Sequence, residues 1–207
     1  MSIKAIELFG DSLLQNMSYT LAGESVIDHM HRLSPVPVSQ LAVDGDITTD
    51  TLLILEDRGD DFNPETGAVL SVGGNDSLRS ASILECPVSS VFESFTKMIP
   101  ILDAFRSRYI AVLERLLKMY EVELIRVLTI HNRVPISPTI PKEALAALAL
   151  FNEIILEECS RRKLQIIDLR VICESPDSYS EISPIEPSDI GGLRISEAIL
   201  NSYKKEV

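Results

Sequence analysis

Apolar positions along the chain follow two alternating rhythms, short continuous runs and longer stretches spaced three or four apart. The runs at residues 3 to 9, 36 to 43, 67 to 72, 122 to 130 and 164 to 169 predict five strands. The first three are closed by Gly10, by the Asp44-Gly45-Asp46 turn and by Gly73-Gly74. Between them lies helical spacing. Residues 12 to 33 are interrupted at Gly23, which marks a loop before the segment Val26 to Leu33. A short helix carries Leu52, Leu53 and Leu55, with Thr48 or Thr49 expected as its cap. Residues 89 to 120 place Val91, Phe92, Phe95, Met98, Ile99, Leu102 and Phe105 on a helical stripe, with a kink expected near Pro100. After a loop holding Pro135, Pro138 and Pro141, a helix reaches about Arg162; its AALAALALF core is apolar nearly all round and is expected against a sheet. Residues 192 to 203 predict a closing helix.

Five apolar strands alternating with helices predict an α/β fold, a three-layer α/β/α sandwich around a parallel sheet. No linker, low-complexity tract or repeat divides the chain, so residues 1 to 207 are expected to form one domain. Ligand chemistry in such a fold belongs to the loops leaving the carboxyl ends of the strands. That rule selects FGDSL, VDGDITT, SVGGND and TIHNR.

Charge and cysteine content narrow the function. Nineteen Lys and Arg against 31 Asp and Glu leave a net charge of −12, which repels phosphate backbones and anionic lipid headgroups. Neither nucleic acid nor a membrane is expected as a partner. Cys86, Cys159 and Cys173 form no CxxC pair, so a zinc site or disulfide framework has no support, and a reducing, cytoplasmic setting is expected. His29 and His31 lie two apart and do not share a helix face, and no GxGxxG follows the first strand. No metal or other cofactor is expected.

At the selected loops, Ser12 follows the first strand where its own N–H points outward, Gly45 lets a backbone N–H approach a ligand, and Asn75 offers a side-chain amide. These three groups would make an oxyanion hole. GDSL after the first strand, a glycine after the second and GGND after the third resemble the first three motif blocks of the SGNH hydrolase (GDSL esterase and lipase) superfamily. LAVDG, ALALFNEII, IIDLRVIC and SPIEPSDIGGLRISEAI extend that resemblance along the chain. The resemblance implies a flavodoxin-like five-stranded sheet, Ser12 as nucleophile, and Ser12, Gly45 and Asn75 as oxyanion donors.

The fourth block departs from that pattern. Where the superfamily has Asp-x-x-His, this chain has Ser183-Pro184-Ile185-Glu186, with Pro187, Ser188 and Gly191 in register. A serine hydroxyl needs a positioned base, and a carboxylate of ordinary pKa about 4.3 serves only if burial raises it. Three readings stay open. Glu186 accepts the Ser12 proton; or His131, directly after the fourth strand, does so; or the serine is poorly activated and the protein binds acyl or glycosyl groups. The expected function is hydrolysis of a small-molecule ester through an acyl-Ser12 intermediate, with an attenuated binding protein as the alternative.

Overall fold

A computed structural model describes residues 3–59, 61–135 and 140–204. Asp60 and Pro138 lie outside these residues. Five parallel strands form one sheet: β1 (Ala5–Gly10), β2 (Val38–Gln40), β3 (Thr66–Ser71), β4 (Ile125–Leu128) and β5 (Gln165–Ile167). Their order is β2-β1-β3-β4-β5. The longest register joins β1 to β3, from Ala5 opposite Thr66 to Gly10 opposite Ser71. Strand order reverses between these two, which opens a crevice at their carboxyl ends.

Alternation along the strands feeds two cores. Phe9, Leu70 and Val127 point to one face, under α2 (Thr48–Asp57), α4 (Val91–Met119) and α5 (Lys142–Arg161). Leu8, Val69 and Ile167 point to the other, under α1 (Val26–Leu33) and α7 (Asp189–Ser202). The sandwich expected from the alternation of strands and helices is the one observed.

The structure corrects several local expectations. Between Ser12 and Ser25 there is only a 3-10 turn at Met17–Tyr19, because Gly23 at φ +87° turns the chain and the Ser25–Asp28 capping box starts α1 afresh. Two short helices were not legible: α3 (Gly74–Arg79), which opens directly on GGND, and α6 (Leu169–Ile172). Thr48 does not cap α2. It is the first helical residue, and its N–H and hydroxyl both donate to the buried Asp76 carboxylate, at 2.9 and 2.7 Å. Pro100 sits inside a helix that continues through it.

The largest correction concerns α4 and α5. Phe105, Tyr109, Leu113 and Leu116 of α4 are fully buried, but Val91, Phe92, Phe95 and Ile99 are 74, 82, 57 and 53% exposed. In α5, Phe151, Ile154 and Ile155 pack on the sheet while Ala144, Leu145, Ala147 and Leu148 stay half-buried. Length explains this. At ~1.5 Å per residue the 29 residues of α4 span roughly 43 Å, against about 13 Å for the four of β4. Both helices begin at the carboxyl edge, so their first halves overhang it.

Candidate active site

β1 ends in a turn that only glycine permits. Gly10 has φ +126°, and a Cβ there would lie 1.6 Å from the Ser71 carbonyl oxygen, the same oxygen that accepts a 2.9 Å hydrogen bond from the Asp11 N–H. The turn seats Ser12 at the crevice between β1 and β3. Its Oγ donates to Glu186 Oε1 at 2.9 Å in a buried pair whose members are 174 residues apart. Ser183, in the register position of the superfamily's aspartate, forms the turn below: its carbonyl accepts from the Glu186 N–H at 3.0 Å.

The segment carrying Glu186 is held on several sides. Its carbonyl accepts from the Ser180 N–H at 2.8 Å, next to the isolated bridge between Tyr179 and Pro187. Asn16, fully buried, donates from Nδ2 to the Pro187 carbonyl at 3.0 Å and accepts the Val26 N–H on Oδ1 at 2.8 Å. It therefore ties the Glu186 segment to the Ser12 loop and to the start of α1. His131 Nε2 lies 2.8 Å from the Ile185 carbonyl, so Nε2 carries the proton and Nδ1 is the bare nitrogen. The turn before His131 is fixed by Asn152, whose amide accepts from and donates to the Ile130 backbone, both at 2.8 Å.

Burial sets the protonation of these groups. It pushes Glu186 up from its ordinary 4.5 to about 7; the Asp44 charge adds to the rise, while the Ser12 hydroxyl opposes it. A carboxyl poised there is a far stronger proton acceptor than an ordinary one and is still largely ionised just above neutrality. His131 moves the other way, held down to about 4 by the same desolvation. It is neutral at physiological pH. Asp11, beside Ser12, is held well above the usual carboxylate range, chiefly by burial. Burial also pushes the thiols of Cys159 and Cys173 up to about 12, which makes them poor nucleophiles.

Asn75, half-buried in α3, donates one amide proton to the Asp46 carbonyl at 3.0 Å and keeps a second for a ligand. Arg79, at the end of α3, donates to the Gly45 carbonyl at 3.1 Å. These two bonds draw the loop after β2 against the loop after β3. Gly45 has φ +86°, and the space where a side chain would stand is open.

Asp11, Ser12, Asn75, His131 and Glu186 line one cleft, whose empty space including its open mouth is about 850 Å³. Of the residues singled out in the sequence, the fold pairs Ser12 with Glu186 and sets Asn75 and His131 in the same cleft. Gly45 stands beside it, joined through Asp46. His131 is bonded to Ile185 and not to Ser12, and Asp189 engages His29, 2.9 Å from its Nε2. Asn16 and Asn152 escaped sequence reasoning, since a buried asparagine that serves backbone groups leaves no spacing signal. Asp76 stood within GGND, but nothing local marked Thr48 as its partner.

The GDSL-like Lipase/Acylhydrolase family matches residues 8–191 of the chain. No curated protein sequence matches it. Among solved structures, a member of the lipolytic protein G-D-S-L family from Veillonella parvula DSM 2008 superposes with a TM-score of 0.72 at 12% identity, covering 98% of this chain and 100% of that one. The acetyl xylan esterase AlAXEase gives 0.68 at 18% identity, covering 97% and 100%. Phospholipase A1 from Streptomyces albidoflavus NA297 gives 0.66 at 17% identity, covering 99% and 100%. At these identities the likeness is one of fold.

Proposed function

The chain belongs to the GDSL-like Lipase/Acylhydrolase family, and within it we propose a serine hydrolase of carboxylic esters that uses a Ser12–Glu186 dyad in place of a serine and histidine. The observation that carries this is the buried 2.9 Å hydrogen bond from Ser12 Oγ to Glu186 Oε1. Ser12 Oγ attacks the ester carbonyl carbon as its proton passes to Glu186, and the carbonyl π electrons move onto oxygen. The resulting oxyanion is received by the N–H groups of Ser12 and Gly45 and the free amide proton of Asn75. Collapse breaks the bond to the alcohol, which takes the proton from Glu186 and leaves acyl-Ser12. Water then loses a proton to Glu186 and attacks the acyl carbon. The Ser12 alkoxide departs, recovering that proton, and the free acid is released.

Glu186 suits this cycle better than His131. Its Oε1 already accepts the Ser12 hydroxyl, whereas the bare Nδ1 of His131 meets no hydrogen-bond donor among the described residues and burial, by holding that imidazole down to about 4, makes it the weaker base. His131 is the positioning group in this reading, fixing the peptide just before Glu186. The proposed unit is a single hydrolase domain over residues 1 to 207, acting in the cytoplasm on a small-molecule ester without a cofactor. Among the described residues no helix is long and apolar enough to cross a membrane.

One observation favours the attenuated alternative, a binding protein for acyl or glycosyl groups: the carboxylate facing Ser12 has a second oxygen, Oε2, that is buried without a hydrogen-bond partner. Among the described residues no third group bonds to that oxygen as an aspartate bonds to a histidine. Fluorophosphonate labelling decides between the two. Stoichiometric labelling lost in Ser12→Ala, together with hydrolysis of p-nitrophenyl butyrate lost in the same variant, supports the hydrolase. A wild-type protein that neither labels nor turns over excludes it.

A further inference from the structure

The outer half of α4 is turned away from the sheet as well as carried beyond its edge. At ~100° per residue, Val91, Phe92, Phe95 and Ile99 form a stripe rotated roughly 90° from Phe105, Tyr109, Val112 and Leu116, which lie on the sheet. Met98 and Leu102 mark the change of direction. Met98 lines the cleft and Leu102 packs on the core, while Ile99 between them is 53% exposed. The outer stripe is therefore a second face of the helix and not an unfinished end of the core face. Leu78 and Leu84, both exposed, stand with Met98 at the cleft and extend the apolar surface away from α4.

Area and charge decide what fits this face. At roughly 150–200 Å² for a fully exposed large side chain, these six exposures give about 600 Å² of apolar surface, the upper end for the largest patch on an ordinary monomer. Two copies face to face bring about 1,200 Å², where specific interfaces begin. The stripe itself carries no charge. Glu93 and Lys97 stand on the opposite side of the helix, 3.2 Å apart, and Ser94 and Thr96, which border the stripe, spend their hydroxyls on the Ser90 and Phe92 carbonyls. Lys97 is the only basic residue from Leu84 to Ala104, so nothing there attracts an anionic lipid surface, which the net charge of −12 also repels. Nor does the stripe offer a charge by which to select an unlike protein. We propose that this face joins a second copy of the chain, the two α4 helices crossing antiparallel about a two-fold axis near Phe95, with Phe92 of each packed on the partner's Ile99. Such a contact uses the same surface on both copies, so it closes at two and leaves no apolar face free to propagate. The proposal stands apart from the ester-hydrolase reading, since it needs no turnover.

Sedimentation velocity between about 1 and 100 µM protein reads the mass directly. Wild type is expected to pass from the 22.9 kDa monomer to a species twice as heavy as concentration rises. Phe92→Asp and Ile99→Lys should each stay monomeric, with the dissociation constant raised about a hundredfold or more. Val171→Asp, at an exposed valine of α6, should dimerise like wild type. Equimolar mixing of Phe92→Asp with Ile99→Lys should restore the dimer, because the antiparallel register sets the two introduced charges against each other and keeps the native Phe92 on the native Ile99 at the other end. Circular dichroism confirms that the variants fold. In dilute protein, where the monomer prevails, wild type and variants should share one urea midpoint, and wild type should gain on Phe92→Asp and Ile99→Lys as concentration rises. A wild type that is monomeric throughout, a dimer that survives Phe92→Asp, or a mixture that stays monomeric would overturn the proposal. Flotation with phosphatidylcholine vesicles supplies the rival outcome: a monomer that binds them, and loses that binding in Phe92→Asp, would assign the face to lipid instead.

Discussion

The two halves of α4 carry the same apolar spacing and opposite burial. From Phe105 to Met119 the stripe lies on β3 and β4 and is sealed; from Val91 to Ile99 it stands in water. α5 repeats the division, with Phe151 to Cys159 on the sheet and Ala144 to Leu148 along the cleft. The helices are longer than the strands they cover, and the excess falls at the carboxyl edge, where Ser12, Asn75 and His131 arrive. Period alone therefore does not assign a stripe to the core. Its distance along the axis from the sheet does, and an apolar overhang at that edge is surface available to a ligand.

The sharpest division is expected at Ser12 itself. Ser12→Ala should lower kcat/KM by about a thousandfold or more while the thermal midpoint stays close to that of wild type. A large loss of stability would mean that the serine holds the fold together and not merely the site. In the sealed half, Phe105→Ala should cost about 3–5 kcal/mol of unfolding free energy in a urea titration, because Phe105 is fully buried against Phe151 at a ring separation of 4.9 Å.

Glu186 gives an intermediate effect with a definite sign. Its folded-state pKa is raised to about 7 from 4.5, so the native state binds the proton more tightly than the unfolded chain. Its contribution is favourable at low pH and is lost as pH rises from about 4.5 through about 7. Asp11, raised mainly by burial, slopes the same way, and the smaller part of its rise that comes from the Glu186 charge is lost in the variant. Glu186→Gln should therefore gain on wild type as pH rises through that window, by on the order of 3 kcal/mol at its upper end. A constant difference between the two proteins would show that the carboxyl is not perturbed. The smallest effect belongs to the overhang: Phe92→Ser, at a residue 82% exposed, should change stability by no more than about 0.5 kcal/mol.

What was legible in the sequence was local or periodic. Ser12, Gly45 and Asn75 sit beside the strand ends that position them, so five apolar runs and their closing turns suffice to bring them to one edge. Glu186 was visible only through register with a motif whose histidine it replaces; its burial and its bond to Ser12 depend on contacts such as Asn16 to Pro187, made across most of the chain. The fate of Thr48 illustrates the limit. A threonine at a helix start reads as a cap, and only the folded chain places the Asp76 carboxylate within 2.7 Å of its hydroxyl. The overhang was illegible for the reason already given, since a cleft wall and a core face share one spacing.

The central claim is that Glu186 takes the Ser12 proton. The direct measurement is the pH dependence of kcat/KM for p-nitrophenyl butyrate in wild type, Glu186→Gln and His131→Gln, the last keeping an amide donor for the Ile185 carbonyl. The account predicts an acid limb near pH 7 in wild type, where Glu186 titrates. It further predicts a loss of about a hundredfold or more in Glu186→Gln, and an unmoved limb in His131→Gln. A limb near pH 4, where His131 titrates, that persists in Glu186→Gln and vanishes in His131→Gln would contradict it.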